Sequence, residues 1–454
     1  MFFLIYIGQN NFMNLFSLLQ LITKIALILL FISLCFFAYR LIFIIIGFIK
    51  DKPLKETNKK GKFAILIPAR NESKVIEKLF ESIKNQTYDK NFIDVFVVTE
   101  NEDDPTNFIT KRYGYNFFVR KDLKNKRTKG YALNEVVEDI YNKELKYDAF
   151  FIFDADNVLA PNFIEEMNKA YQAGYPVATA YRNIVNIHDN WVSTCSALLF
   201  SNINTFQNKA RSRITKNIII SGTGYYISSK ILDSFRGFPF TSLTEDFEIS
   251  NYLILKNIKT KYVTSTEFFD EQPTSIKTIN NQRTRWCRGY FDVSKKYRKP
   301  LLKEFFKKGS NKKAILDVKF SIVPNILFIL SFIIYSIILA LFLVFGIISR
   351  NFIIVDYCFS CLFNLFLVYY LLLGLYTFLL LKAEKNKFNL TFKEKFLTIF
   401  FNPFFINLFI YQAAKAIFSK NIVWKEIKHT SKEVVIEKQI DEEKLELQET
   451  LEVK

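Results

Sequence analysis

The residues best able to do chemistry in this chain are carboxylates, and they occur in pairs. Asp154 and Asp156 follow the apolar run Phe151, Ile152, Phe153, while Glu245 and Asp246 come after the turn Gly237, Phe238, Pro239. If the apolar run continues as a strand, its two-residue period sets Asp154 and Asp156 on one side. One hard divalent cation could be held there. Mg2+ or Mn2+ bound by one or two carboxylates fills its other positions with water and substrate phosphates, so the pair points to a phosphorylated ligand. Taken alone, D-x-D is a weak signal, since a loop cap explains most instances. The adjacent acids Glu245 and Asp246 offer a general base. Histidine cannot take these roles: His188 and His429 are the 2 histidines in 454 residues, too few for a His triad or a multi-His metal site.

Cations and a stacking surface accompany the acids. Lys129, next to Gly130, ends a basic run of Lys124, Lys126 and Arg127 and could reach a diphosphate; a solvated basic loop is the alternative. Ser221 to Gly224 is a small-residue turn that lets backbone approach a ligand closely. Gln282, Arg285 and Trp286, spaced i, i+3 and i+4, share one face if their segment is helical. Sugar faces pack on indole and guanidinium grips phosphate; a membrane-interface helix anchored by Trp and Arg is the competing reading. Glu72 in the Pro68 to Glu72 loop, and Glu100 with Asn101 to Asp104, are ligand contacts, helix caps or a solvated acidic loop.

Positioning these residues requires an α/β domain. FAILIP (63 to 68), DVFVVT (94 to 99) and AFFIFD (149 to 154) read as strands, each ending in a polar cluster and followed by a helical pattern. Open α/β sheets bind ligands where such strands end.

Around this domain the chain is strongly apolar. Residues 25 to 48 read as a first span, with residues 1 to 20 at the interface and no removable signal peptide. Runs 317 to 348 and 354 to 381 read as an out-and-back hairpin, 396 to 418 as a poorer span or an interfacial helix, and the acidic tail from Lys432 to Lys454 as a short mobile helix or disorder. The division expected is an anchor over 1–50, a catalytic domain over 51–306, a membrane region over 307–419 and a tail over 420–454. Lys50, Lys52, Lys55, Lys59, Lys60 and Lys62 follow the first span, which orients the domain toward the cytosol. In such a chain the net charge of +18 suits anionic lipid rather than nucleic acid. Cys358 and Cys361 form the one C-x-x-C, but inside an apolar stretch, which speaks against a metal or redox role.

In order, PARNE (68 to 72), KGYALN (129 to 134), DAD (154 to 156), TED (244 to 246) and QRTRW (282 to 286) resemble the motif series of membrane-embedded family 2 glycosyltransferases, such as poly-N-acetylglucosamine, hyaluronan and cellulose synthases. The resemblance implies a GT-A type fold, a Rossmann-like mixed sheet combined with transmembrane helices. It places Glu72 and Glu100 near the nucleoside, Lys129 near phosphate, and Asp154 and Asp156 at nucleotide and metal. Asp246 becomes the base, with Gln282, Arg285 and Trp286 closing the site. Glu100 departs from the pattern, since many relatives carry Asp there. Implied partners are a nucleotide-sugar donor, a UDP-sugar in class, a polysaccharide or lipid acceptor, membrane lipids, and export or accessory subunits. A non-catalytic nucleotide-binding scaffold is the reading from outside enzymology.

Overall fold

The computed structural model describes residues 2–36, 38–123, 128–320 and 323–419. The basic positions Lys124, Lys126 and Arg127 and the tail over 420–454 lie outside the described residues. Two compact units are present: one combines the chain up to Ile45 with Leu316–Leu379, the other Ile46–Ile315 with the chain from Leu380 onward.

The second unit is organised by an eight-stranded mixed sheet: β1 (Phe63–Pro68), β2 (Ile93–Thr99), β3 (Asn116–Val119), β4 (Ala149–Ile152), β5 (Val158–Leu159), β6 (Val177–Ile184), β7 (Tyr225–Ser228) and β8 (Lys261–Asp270), in the order β3-β2-β1-β4-β7-β6-β8-β5. Strands β1 to β4 are parallel, and β7 runs antiparallel between β4 and β6. Helices cover both faces, so β1 is apolar at every position rather than alternating. Its Phe63, Ile65 and Ile67 pack with Ile76, Leu79 and Phe80 of helix Ile76–Lys84, while Ala64 and Leu66 pack with Leu133, Val136 and Ile140 of helix Lys129–Asn142. The resulting α/β arrangement matches the mixed sheet anticipated from the motifs.

Strand β4 stops at Ile152, two residues before Asp154, which corrects the expectation that a strand period sets Asp154 and Asp156 on one side. The reason is local. The Asp154 amide donates to Asn157 Oδ1 at 3.1 Å and to Thr223 Oγ1 at 2.9 Å, contacts that curl the chain into a turn. Both carboxylates therefore belong to the β4–β5 turn.

Among the described residues, four helices are long and apolar enough to cross a membrane: Phe16–Cys35, Leu327–Ile348, Phe352–Ala383 and Phe392–Phe418. The run read as one span from 25 to 48 is divided instead, because the first helix ends at Cys35 and Tyr39–Gly47 is separate. At this break the Tyr39 hydroxyl donates to Asp317 Oδ1 at 2.9 Å and Arg40 lies 3.7 Å from the same carboxylate, so the chain here meets a buried charge. Leu19 and Leu30 pack with Tyr335, Leu339, Ile354 and Cys358 in an apolar cluster. Helix Phe392–Phe418 groups with the sheet unit: its Phe405 packs with Val192 and Ile279.

Gly224 opens β7 with φ of +66°, and a Cβ there would lie 2.1 Å from the Phe268 ring. Gly224→Ala combines left-handed strain with overpacking and is expected to cost about 1–3 kcal/mol or more. A lowered thermal midpoint in detergent would show it; an unchanged midpoint would mean that β7 and β8 do not meet here.

Candidate active site

Lys129 is the first residue of its helix, and the loop before Glu245 packs against that end. Thr128 Oγ1 donates to the Thr241 carbonyl at 2.8 Å, and a Cβ on Gly130 would lie 2.0 Å from the Phe240 oxygen, so glycine permits the approach. This contact brings the Lys129 side chain beside Glu245 and Asp246, which begin helix Glu245–Leu255, where the helix dipole favours negative charge.

The Lys129 ammonium donates to Asp154 Oδ1 at 2.5 Å and to the Gly222 carbonyl at 2.9 Å. Gly222 has φ of +87°, and a Cβ on it would sit 3.7 Å from Asp246 Oδ2. The turn at Gly222 thus joins the lysine, the Asp154 carboxylate and the Asp246 carboxylate in one place.

Burial alone would lower the lysine's pKa, yet Asp154, Glu245 and Asp246 outweigh it and hold the ammonium charged. Glu245 is pushed up to about 7, first by burial and then by the neighbouring Asp246 charge. Burial also raises Asp246, opposed by the Phe247 amide, Lys129, Arg285 and Arg182. Glu245 is enclosed, whereas Asp246 is half-buried and keeps access to solvent. Of the two acids, Asp246 is therefore the one an external hydroxyl can reach.

Helix Ile276–Phe305 packs here through Gly289, where a Cβ would come within 2.5 Å of Thr244. It presents Arg285 to the field of Asp246, and Trp286 meets the Phe200 ring edge-on at 6.3 Å. Gln282 is half-buried without a hydrogen-bond partner among the described residues. Glu72 and Glu100 lie in the loops after β1 and β2. Thr106 Oγ1 accepts from the Glu72 amide at 3.1 Å, and Glu100 pairs with Arg70 at 3.0 Å and approaches Arg120 at 3.9 Å. Asp104 caps helix Pro105–Arg112 and accepts from the Asn71 amide, so for this acid the cap reading holds.

A layer beneath the Asp154 turn escaped the sequence reading. Thr223 Oγ1 donates to Asn157 Oδ1 at 2.5 Å, and Asn157 Nδ2 reaches both Asp156 and Asp270 at 3.4 Å. Arg182 donates through Nε to Asp270 Oδ2 at 2.9 Å and through NH1 to the Ser221 carbonyl at 2.5 Å, with its guanidinium 4.0 Å from the Phe200 ring centroid. The available signal was an arginine directly after VATAY (177 to 181), within a strand-like run.

Asp154 and Asp156 are hard oxygen donors, and Asp154 already holds a cation, the Lys129 ammonium. No three His, Cys, Asp or Glu side chains among the described residues group to hold a metal unaided. A pair completed by ligand phosphate oxygens and water is the donor set that suits Mg2+ or Mn2+.

The sequence model described as "Glycosyltransferase like family 2" matches residues 60–289, half of the chain. The chain belongs to this family. The glycosyltransferase is 24% identical over 267 residues to "Probable glycosyltransferase YdaM" of Bacillus subtilis, covering 57% of this chain and 60% of that one. It is 23% identical over 231 residues to the beta-monoglucosyldiacylglycerol synthase of Trichormus variabilis (50% and 48% covered), and 25% identical over 264 residues to the hyaluronan synthase of Streptococcus pyogenes (54% and 60%). These matches span about half to three-fifths of the relatives' length. Among solved structures, the mannosyltransferase PcManGT from Pyrobaculum calidifontis, in complex with GDP-Man and Mn2+, superposes with a TM-score of 0.55 at 14% identity, over 88% of this chain and 100% of that one. The fold is that of the GT-A glycosyltransferases, combined with apolar helices.

With Asp246 raised by burial, the acidic limb of kcat/KM for donor turnover is expected above the ordinary aspartate range of about 4. Activity should rise with pH as Asp246 loses its proton. A limb at the ordinary value would assign the reacting proton to a more exposed acid.

Proposed function

We propose that this family 2 glycosyltransferase is an inverting enzyme that moves a sugar from a nucleotide diphosphate donor, a UDP-sugar by class, to a growing polysaccharide at the membrane. One observation carries the reading: the Gly222 turn sets a charged Lys129 and the half-buried Asp246 around the same space. Glycosyl transfer needs both. Asp246 takes the proton of an acceptor hydroxyl as its oxygen attacks the anomeric carbon in line. The bond from that carbon to the diphosphate breaks, and its electron pair leaves with the diphosphate, whose charge Lys129 and Arg285 offset. An α-linked donor then gives a β-linked product.

In this reading Glu245, enclosed beside Asp246, shapes the base's field rather than touching the acceptor. Glu72 and Glu100 are assigned to the nucleoside, and Gln282 and Trp286 to the sugar and acceptor. Asp154 and Asp156 would hold Mg2+ or Mn2+, which when bound neutralises diphosphate charge. The lysines from Lys50 to Lys62 support a cytosolic domain in an integral membrane protein, with polymer export, alone or with accessory subunits, as the associated process. The likeness to a glucosyldiacylglycerol synthase favours a second reading, in which the acceptor is a membrane lipid.

Asp246→Asn is expected to lower kcat by about 10²–10⁴ while leaving donor affinity near normal. Asp154→Asn with Asp156→Asn should weaken donor binding as well and flatten the response to added Mg2+ or Mn2+. Near-normal turnover in the Asp246 variant would reject the base assignment. Sizing radiolabelled product distinguishes the acceptors: long chains support the synthase reading, and single additions to lipid replace it with the second.

A further inference from the structure

One strong charge takes no part in the site just described. Arg283 lies on helix Ile276–Phe305 and is 6% exposed, yet it has no carboxylate or hydrogen-bond acceptor among the described residues. Its guanidinium rests over the Phe405 ring, 4.2 Å from the centroid. Arg285 and Arg182 bear on Asp246, whereas the groups that bear on Arg283 are Cys195 and Cys287, so this arginine is not among the charges acting on Asp246. Burial pulls its pKa down to about 10, which still leaves it charged at neutral pH.

Burying a charge without a counterion is costly, and an aromatic face offsets only part of that cost. The surroundings add two more unmet polar atoms, Ser196 Oγ and Gln412 Oε1, on residues 1% and 0% exposed. Val192, Cys195 and Ser196 share one face of helix Trp191–Ser201, and Cys195 bears on Arg283. Gln412 Nε2 donates to Asn280 Oδ1 at 2.8 Å, one turn before Arg283. The unmet set is thus one cation, one hydroxyl and one amide oxygen. Helix Phe392–Phe418 turns Phe400, Phe404 and Tyr411 outward at 47%, 55% and 54% exposure, a surface suited to hydrocarbon chains.

We propose that Arg283 marks a binding site for the phosphate of an anionic membrane lipid of the phosphatidylglycerol class. The phosphodiester accepts from the guanidinium and from the Ser196 hydroxyl, and a head-group hydroxyl donates to Gln412 Oε1. The acyl chains lie along the exposed aromatic face of helix Phe392–Phe418. A free phosphate shares the anionic chemistry but would leave that face bare. The site does not depend on which sugar or acceptor the enzyme uses.

The test uses the full chain in nanodiscs of phosphatidylcholine doped with phosphatidylglycerol, and native mass spectrometry to count lipids retained after detergent release. Wild-type protein is expected to retain phosphatidylglycerol over phosphatidylcholine. Arg283→Gln should lose that preference by about tenfold or more, and Arg283→Lys should keep part of it, since an ammonium supplies charge without the bidentate fork. A photoactivatable phosphatidylglycerol on wild-type protein should label helices Trp191–Ser201 and Phe392–Phe418, a readout independent of how the variants fold. Equal retention in Arg283→Gln, labelling confined to other helices, or displacement of the lipid by millimolar inorganic phosphate would each overturn the proposal. A stability loss in Arg283→Gln with unchanged lipid preference would reduce Arg283 to a strut on Phe405.

Discussion

The candidate site is organised around one ammonium group. Lys129 Nζ is bonded to Asp154 and to the Gly222 carbonyl, and the fields of Glu245 and Asp246 help hold its charge. Without that cation, three carboxylates would lie close together in a partly enclosed space, an arrangement that protonates rather than persists. With it, the cluster keeps a charge that opposes the rise in both acids, while burial and the neighbouring Asp246 charge push Glu245 up to about 7. Glycine is what allows the parts to meet: Gly130 lets the loop before Glu245 press on the lysine's helix, and Gly222 turns a bare backbone carbonyl toward the ammonium.

A second, polar layer keeps this cluster in place. Asn157, Thr223, Asp270 and Arg182 link the Asp154 turn to β8, to β6 and to the Ser221 carbonyl, so the turn is braced from three directions. Arg182 also lies on Phe200, which meets Trp286, and the brace therefore reaches the helix that carries Arg285. Residues of the candidate site from distant parts of the chain are held by side-chain contacts as well as by the sheet. Preorganisation of this kind is what electrostatic stabilisation of a leaving group requires.

Much of this was legible in the residues because the central strands are buried on both faces and read as unbroken apolar runs. β1 and β2 appear within a residue of their expected ends. The motif residues were legible because their types are chemically restrictive. The strand period failed at Asp154, where a side-chain contact from Asn157 ends β4 early, and no periodicity reports such a contact. Arg182 went unread because its partner Asp270 is 88 residues away, a pairing that only the fold reveals. The break inside the run from 25 to 48 was hidden in the same way: Asp317, which engages Tyr39 and Arg40 there, lies far along the chain.

Glycosyl transfer at the Lys129, Asp154 and Asp246 cluster is tested most directly by nucleotide diphosphate release by the purified full chain in lipid, across a panel of UDP- and GDP-sugars with and without Mg2+ or Mn2+. Metal-dependent release from one donor class, abolished by Lys129→Met, is the predicted result. Release that is indifferent to Lys129, or silence with every donor when acceptor-containing membranes are supplied, would contradict it.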